Sequence, residues 1–184
     1  MKRRTGRRAQ KVLVMASVAS MLDLFNRDNL RMLKESGCQV EVAANFSFGN
    51  ITSRERVERF RMELRQMGIA VHHIPVPRKA TDVISILRSY RMLKKLCRTK
   101  GYSLIHTQSP IGGAVLRLAA APFRKPGCRV IYTAHGFHFY KGAPLLRWLL
   151  YYPVEKWLSA CTDTIITMNK EDYRLAKSFY ARQV

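Results

Sequence analysis

Residues 11–36 read KVLVMASVASMLDLFNRDNLRMLKES, and the change of period inside this stretch decides the fold. Val12-Leu13-Val14-Met15 is continuously apolar, as a strand covered on both faces of a parallel sheet must be. From Leu22 the apolar residues return at helical spacing over residues 22–36. Ser20 and Asp23 stand in capping-box positions ahead of this helix, and Gly37 is placed to end it. The alternation then repeats down the chain. Residues 39–44 read as the second strand. A helix follows, with Thr52 and Glu55 as its capping box and Val57, Phe60, Leu64 and Met67 as one buried stripe before Gly68. Residues 70–76 are the third strand, and Asp82 caps a helix whose apolar side carries Ile86, Tyr90, Leu93 and Cys97. Residues 103–107 form the fourth strand, after which Ser109 is the N-cap and Pro110 takes the first helical position, where no N–H is needed. Residues 129–134 are the fifth strand. Residues 144–159 are helical with Pro153 inside, where a kink is expected. Residues 164–168 are the sixth strand, and Asn169 caps a last helix that has Glu171 and Asp172 in its first turn. Apolar strands alternating with helices predict an α/β fold: a doubly wound, Rossmann-like parallel sheet with helices on both faces. One domain over residues 11–184 is expected, preceded by a basic arm over residues 1–10.

The chain has 184 residues, with 33 Lys and Arg against 12 Asp and Glu, a formal charge of +21. At 47% hydrophobic residues it can fill a core and is no disordered basic tail. Cys38, Cys97, Cys128 and Cys161 lie far apart with no CxxC. Neither a disulfide framework nor a metal site is expected, and a reducing compartment fits. No apolar run reaches the roughly 20 residues that a spanning helix needs. Lys2, Arg3, Arg4, Arg7 and Arg8 ahead of an apolar stretch have the layout of a secretory signal peptide. Cleavage there would destroy the first strand of the repeating pattern.

In a sheet of this kind ligands bind beyond the carboxyl ends of the strands. Those ends offer Ser17, Val18, Ala19 and Ser20, then Asn45, then Gln108, Ser109 and Pro110, then His135-Gly136-Phe137-His138, then Asn169. No GxGxxG follows the first strand and no GxxxxGK[ST] exists, which removes the best-known dinucleotide and triphosphate loops. Gly112 and Gly113 either bring amides close to an anion or allow tight helix-to-strand packing. His135 is the sharpest candidate, since Gly136 lets the chain turn away behind a ring presented to the cleft. Phe137, His138, Phe139 and Tyr140 read equally as a packed lid or as a platform for a ring-shaped ligand. His72 and His73 lie within the third strand, where pairing is the expected role.

The residues resemble those of a known family. Ala16-Ser17-Val18-Ala19-Ser20-Met21, Val42-Ala43-Ala44-Asn45-Phe46, His72-His73-Ile74-Pro75 and Ser109-Pro110-Ile111-Gly112-Gly113 carry the resemblance. It continues through Tyr132-Thr133-Ala134-His135-Gly136-Phe137-His138-Phe139, Lys141-Gly142-Ala143-Pro144 and Asn169-Lys170-Glu171-Asp172-Tyr173. In order and spacing these are similar to the N-terminal half of a GT-B glycosyltransferase of the family-4 type, in its bacterial exopolysaccharide and capsule branch. The resemblance implies two Rossmann-like domains facing a cleft, the N-terminal one holding the acceptor and the other the nucleotide-sugar donor. It further implies His135 as the catalytic histidine, with no cofactor, no required metal and retention of configuration. The loop over Ser17, Ala19 and Ser20 matches the one that faces phosphates and acceptor, although relatives are glycine-rich where this chain is Ala-Ser. Asn45, Ser109, Gly112, Gly136, Phe137, His138 and Asn169 are the other acceptor-side candidates. Gln108 departs from the family pattern, which has a second histidine there. The donor-binding half is absent from these 184 residues, so the chain by itself is expected to be inactive and to need a second domain, either in a longer protein or as a separate chain.

Arg88, Arg91, Lys95 and Arg98 fall on one side of a helical wheel, opposite Ile86, Tyr90, Leu93 and Cys97. A basic face of this kind suits an anionic membrane surface and, with the resemblance, a cytoplasmic protein peripheral on the inner face of a bacterial membrane. The same run also reads as an ordinary solvated face. A basic Rossmann-like module that binds anionic membrane or nucleic acid without catalysis is the alternative. No nucleic-acid module is recognised, so nucleic acid is not an expected partner. Leu145, Leu146, Trp148, Leu149, Leu150, Tyr151, Tyr152 and Trp157 make the sixth helix apolar nearly all round. Such a helix is buried, or it faces another domain or the lipid boundary.

Overall fold

The computed structural model describes residues 9–124 and 127–184, so most of the basic arm lies outside the described residues. In chain order the elements are β1 (Lys11–Val18), α1 (Ala19–Phe25), α2 (Arg27–Glu35), β2 (Gln39–Asn45), α3 (Arg54–Gln66), β3 (Ala70–His73) and α4 (Val83–Lys100). They continue with β4 (Leu104–Gln108), α5 (Pro110–Ala120), β5 (Arg129–Ala134), α6 (Leu145–Ser159), β6 (Thr164–Thr167) and α7 (Lys170–Ala176). The strands form one parallel sheet in the order β3-β2-β1-β4-β5-β6. This is the doubly wound arrangement expected from the alternation.

The period of two along β1 builds two cores at once. Val12, Val14 and Ala16 join Leu22, Leu30, Val57, Phe60 and Leu64 of α1, α2 and α3 on one face. Leu13 and Met15 join Leu93, Cys97, Val115 and Leu116 of α4 and α5 on the other. A third cluster, of Tyr132, Phe137, Phe139, Ile165 and Phe179, fills the β5–β6 end.

Several boundaries differ from the sequence reading, for local reasons. The helix expected over residues 22–36 is two helices. Asn26, buried at φ −126° and ψ 1°, leaves the helical region between them. Ser20 and Asp23 form no capping box: Val18 is the N-cap and makes no side-chain cap bond. The Ser20 hydroxyl instead accepts from the Ile51 amide (3.2 Å). Asp23 is buried and pairs with Arg56 and Arg27. The cap of α3 is Ser53 rather than Thr52, its hydroxyl accepting from the Arg56 amide (3.2 Å). β3 stops at His73 rather than residue 76, because Pro75 and Pro77 have no N–H to continue a ladder. Asp82 and Asn169 cap α4 and α7 as the sequence predicts.

Candidate functional site

The strand order reverses between β1 and β4, and there the two crossover halves part to leave a crease. Ser17 and Ser109 close it. The Ser17 amide donates to Ser109 Oγ (2.9 Å), the two hydroxyls lie 2.9 Å apart, and the Gly112 amide donates to Ser17 Oγ (3.0 Å). A Cβ on Gly112 would stand 2.7 Å from Ser17 Oγ and 3.1 Å from Ser17 N, and one on Gly113 would stand 2.9 Å from Tyr132 Cε2. The glycine pair is therefore the packing device of the two open readings. The Gly112 amide is engaged by Ser17. Ser109 has φ +75°, the one non-glycine residue with positive φ among the described residues. Strain of this kind, of order 1–3 kcal/mol, persists where the surroundings over-determine the backbone and collects at functional sites.

Outside this crease lies a cleft of about 670 Å³, lined among others by Ser17, Met21, Arg78, Lys79, Ser109 and His138. Thr81 and Tyr151 also line it, and no carboxylate does. The loop that brings in Arg78 and Lys79 is tied down by buried amides. Asn45 Nδ2 donates to the Val76 carbonyl (3.1 Å), and its Oδ1 accepts from the amides of Ser47 (3.0 Å) and Phe48 (3.1 Å). Asn50 Oδ1 accepts from the Ser20 amide (2.9 Å), and Arg78 Nη1 donates to the Gly49 carbonyl (2.7 Å). Ala19, Ser20 and Asn45 are thus buried supports of the site rather than surfaces of it.

His135 stands at the carboxyl end of β5, exposed, with Gly136 behind it at φ +135°. Its Nε2 lies 2.7 Å from Oε1 of the buried Gln108, and its ring is 5.6 Å from that of Phe25. With the carboxamide oxygen as acceptor, the imidazole carries its proton on Nε2 and keeps Nδ1 as an acceptor. Desolvation holds the His135 pKa below its ordinary value, so the ring is neutral at pH 7. Gln108 Nε2 and Thr107 Oγ1 are buried without a partner among the described residues. His106, one strand in, bonds Thr133 Oγ1 (2.9 Å), and burial together with the nearby His135 pushes its pKa down.

The aromatic continuation after Gly136 divides by alternation. Phe137 and Phe139 are buried and stacked (4.8 Å), which makes Phe137 core rather than binding surface. His138 turns out and stacks on Tyr151 (4.7 Å) at the cleft. Asn169 is exposed at the end of β6 and engaged in its cap; it is not among the residues lining the cleft. The structure therefore brings Ser17, Ser109 and His138 together in the cleft, while His135 is not among the lining residues and is held by Gln108, the residue before Ser109. Sequence reasoning missed Arg78, Lys79 and Tyr151, and it undervalued Gln108. The signal for the two cations was their position directly after the third strand and its prolines. Among the described residues no group of three or more His, Cys, Asp or Glu side chains gathers as a metal site would.

The sequence and the fold have relatives. EpsD of Bacillus subtilis (strain 168), a protein named as a glycosyltransferase, is 42% identical over 168 residues, which are 91% of this chain and 40% of EpsD. An Escherichia coli protein named UDP-Gal:alpha-D-GlcNAc-diphosphoundecaprenol alpha-1,3-galactosyltransferase is 33% identical over 91 residues, 50% of this chain and 22% of that protein. The chain thus spans less than half the length of either curated relative. Among solved structures, MurG of Acinetobacter baumannii superposes with a TM-score of 0.56 at 14% identity over 88% of this chain and 42% of its own. Sucrose-phosphate synthase of Thermosynechococcus elongatus gives 0.58 at 11% identity over 94% of this chain and 46% of its own. Both likenesses show the fold alone. Residues 25–183 match the glycosyl transferase 4-like domain, and the chain belongs to that family.

Proposed function

We propose that this chain is the acceptor-side domain of an enzyme that moves a sugar from a nucleotide-sugar to a lipid-linked acceptor in exopolysaccharide or capsule synthesis. The observation that carries this reading is the cleft at the switch point, where Arg78 and Lys79 stand with no carboxylate among the lining residues. Such a cleft suits an anionic acceptor, and the acceptor in the name of the E. coli relative carries a diphosphate between its sugar and its lipid. The neutral His135 beside it keeps Nδ1 to accept a hydrogen bond from a sugar hydroxyl, while Gln108 fixes the ring. In the transfer the acceptor oxygen bonds the anomeric carbon as that carbon's bond to the nucleotide diphosphate breaks, and the acceptor's proton leaves with the departing phosphate. Stabilising that departing charge falls to a second domain. The exposed Arg88, Arg91, Lys95 and Arg98 lie on the outer side of α4, whose apolar side is spent on Leu93 and Cys97 in the core. These charges hold the domain against the anionic inner face of a bacterial membrane.

The test offers UDP-sugars and undecaprenyl-diphosphate-linked saccharides to residues 1–184, alone and joined to the remaining part of EpsD. Transfer by the joined protein and none by residues 1–184 is the expected result. Robust turnover by residues 1–184 alone would refute the need for a second domain. Transfer by the joined protein only to water-soluble saccharides would refute the lipid-linked acceptor.

A further inference from the structure

We infer that α6 is an in-plane membrane helix, which lies on an anionic bilayer by its outer face and brings the mouth of the cleft to the lipid boundary. The inference deepens the proposed function and rests on its membrane reading. At about 100° per residue, Leu146, Leu149, Leu150, Pro153, Val154 and Trp157 share one side of the helix. All six are exposed, Leu146 and Leu149 by about two thirds and Trp157 by 60%. The other side holds the helix to the protein. Trp148 and Tyr152 pack on Phe139, Leu158 is buried, and Glu155 accepts from Arg117 Nη2 (2.8 Å). A helix that is apolar on its inner side for the core has no internal need of a second apolar stripe facing out.

The charges around the stripe select its occupant. Arg147 borders it on one side and Lys156 on the other, and Glu155, the one acid in α6, is turned inward to Arg117. Cations along both edges of an apolar stripe suit a helix lying in the headgroup region, with the stems buried and the charges in the phosphate layer. A second copy of this chain would bring the same cations and another +21 against them. Spanning is excluded for α6, because no helix among the described residues is long and apolar enough to cross a membrane. α5 packs against both α4 and α6, so the three helices belong to one layer. Tyr151 of α6 lines the cleft and stacks on His138. A lipid-linked diphosphate can therefore enter the cleft while its tail stays in the bilayer.

The two tryptophans, Trp148 and Trp157, make the test direct. In the 184-residue chain carrying Trp148→Phe, Trp157 is the remaining indole, and its emission should shift to the blue with phosphatidylglycerol vesicles and far less with phosphatidylcholine vesicles. Leu149→Glu with Leu150→Glu should lower vesicle partitioning at least tenfold while thermal melting is unchanged, since both side chains are exposed. Full partitioning of that variant, with loss only in Arg88→Gln, Arg91→Gln, Lys95→Gln, Arg98→Gln, would overturn the role of α6 and leave the charge-led membrane reading standing. No binding of the unaltered chain to either vesicle would overturn both. Vesicle partitioning shown by residues 1–184 but lost when they are joined to the remaining part of EpsD would assign the stripe to the second domain, and dimerisation in lipid-free sedimentation, abolished by the two Glu substitutions and with no blue shift on vesicles, would assign it to self-association.

Discussion

His135 and Gln108 form one unit, because an exposed imidazole is oriented by a buried carboxamide 2.7 Å away. With the second domain present, His135→Ala should lower turnover by roughly 100-fold, the usual loss for one preorganised hydrogen-bonding group. Melting should stay within about 0.5 kcal/mol, as at other exposed positions. Gln108→Ala should lower turnover less and move the acid limb of the pH–rate profile, because the ring loses its fixed tautomer and its desolvating neighbour. Normal turnover in both variants would remove the pair from the site. The sequence displayed His135 through its glycine and its strand end. It did not display the Gln108 contact, which depends on how β4 and β5 are registered side by side. Arg78 and Lys79 were harder to read for another reason: among 33 basic residues only their position after the third strand sets them apart, and the fold around Asn45 and Asn50 places them at the cleft.

At the level of elements, α5 tests packing against propensity. Alanine at a helical position is favoured over glycine by about 1 kcal/mol, so propensity alone predicts that Gly112→Ala and Gly113→Ala stabilise. The close contacts predict the opposite, because the new Cβ atoms would meet the Ser17 backbone and the Tyr132 ring. Overpacking costs about 1–3 kcal/mol and outweighs the propensity gain. Chemical denaturation should show both variants destabilised, and a more stable Gly112→Ala would contradict the crease as described. The βα alternation was legible because each strand is a short apolar run and each helix has its stripe. The outward face of α6 was not, since an all-round apolar helix reads equally as buried, and only the packing of Trp148, Tyr152 and Leu158 tells the inner side from the outer.

Over the whole molecule, protonation should lower stability in two stages. His73, His106 and His135 all have folded pKa values below the ordinary 6.5. The causes are burial at each, with Arg61 and Arg88 adding at His73 and His135 adding at His106. Each binds a proton more readily unfolded, so stability is full above pH 6.5 and declines as the pH falls through the lower folded values. Asp23, Glu41 and Asp163 follow. Burial alone would raise them, yet hydrogen bonds hold Asp23 and Asp163 below 3.8 and Glu41 below 4.5. The donors are Arg56 and Arg27 for Asp23, Tyr102, His72 and Lys11 for Glu41, and Arg124 with the Val130 amide for Asp163. Their contribution is present above those ordinary values and lost below them. Calorimetric melting temperatures should therefore be level from pH 8 to 7, fall below pH 6.5 and fall again below about 4.5. A melting temperature unchanged between pH 7 and 5 would show that the histidines are not held neutral by the fold.

The Ser17–Ser109 crease also has a history in time. Its two hydroxyls are 92 residues apart in sequence, and closing a loop of that length precedes any reward from the contact. The first half of the chain can make β1, β2 and β3 by nearer pairings, but it has no crease until β4 docks beside β1. During synthesis the cleft is accordingly absent until both halves of the sheet have met, and a nascent chain stopped before residue 109 carries its helices without it.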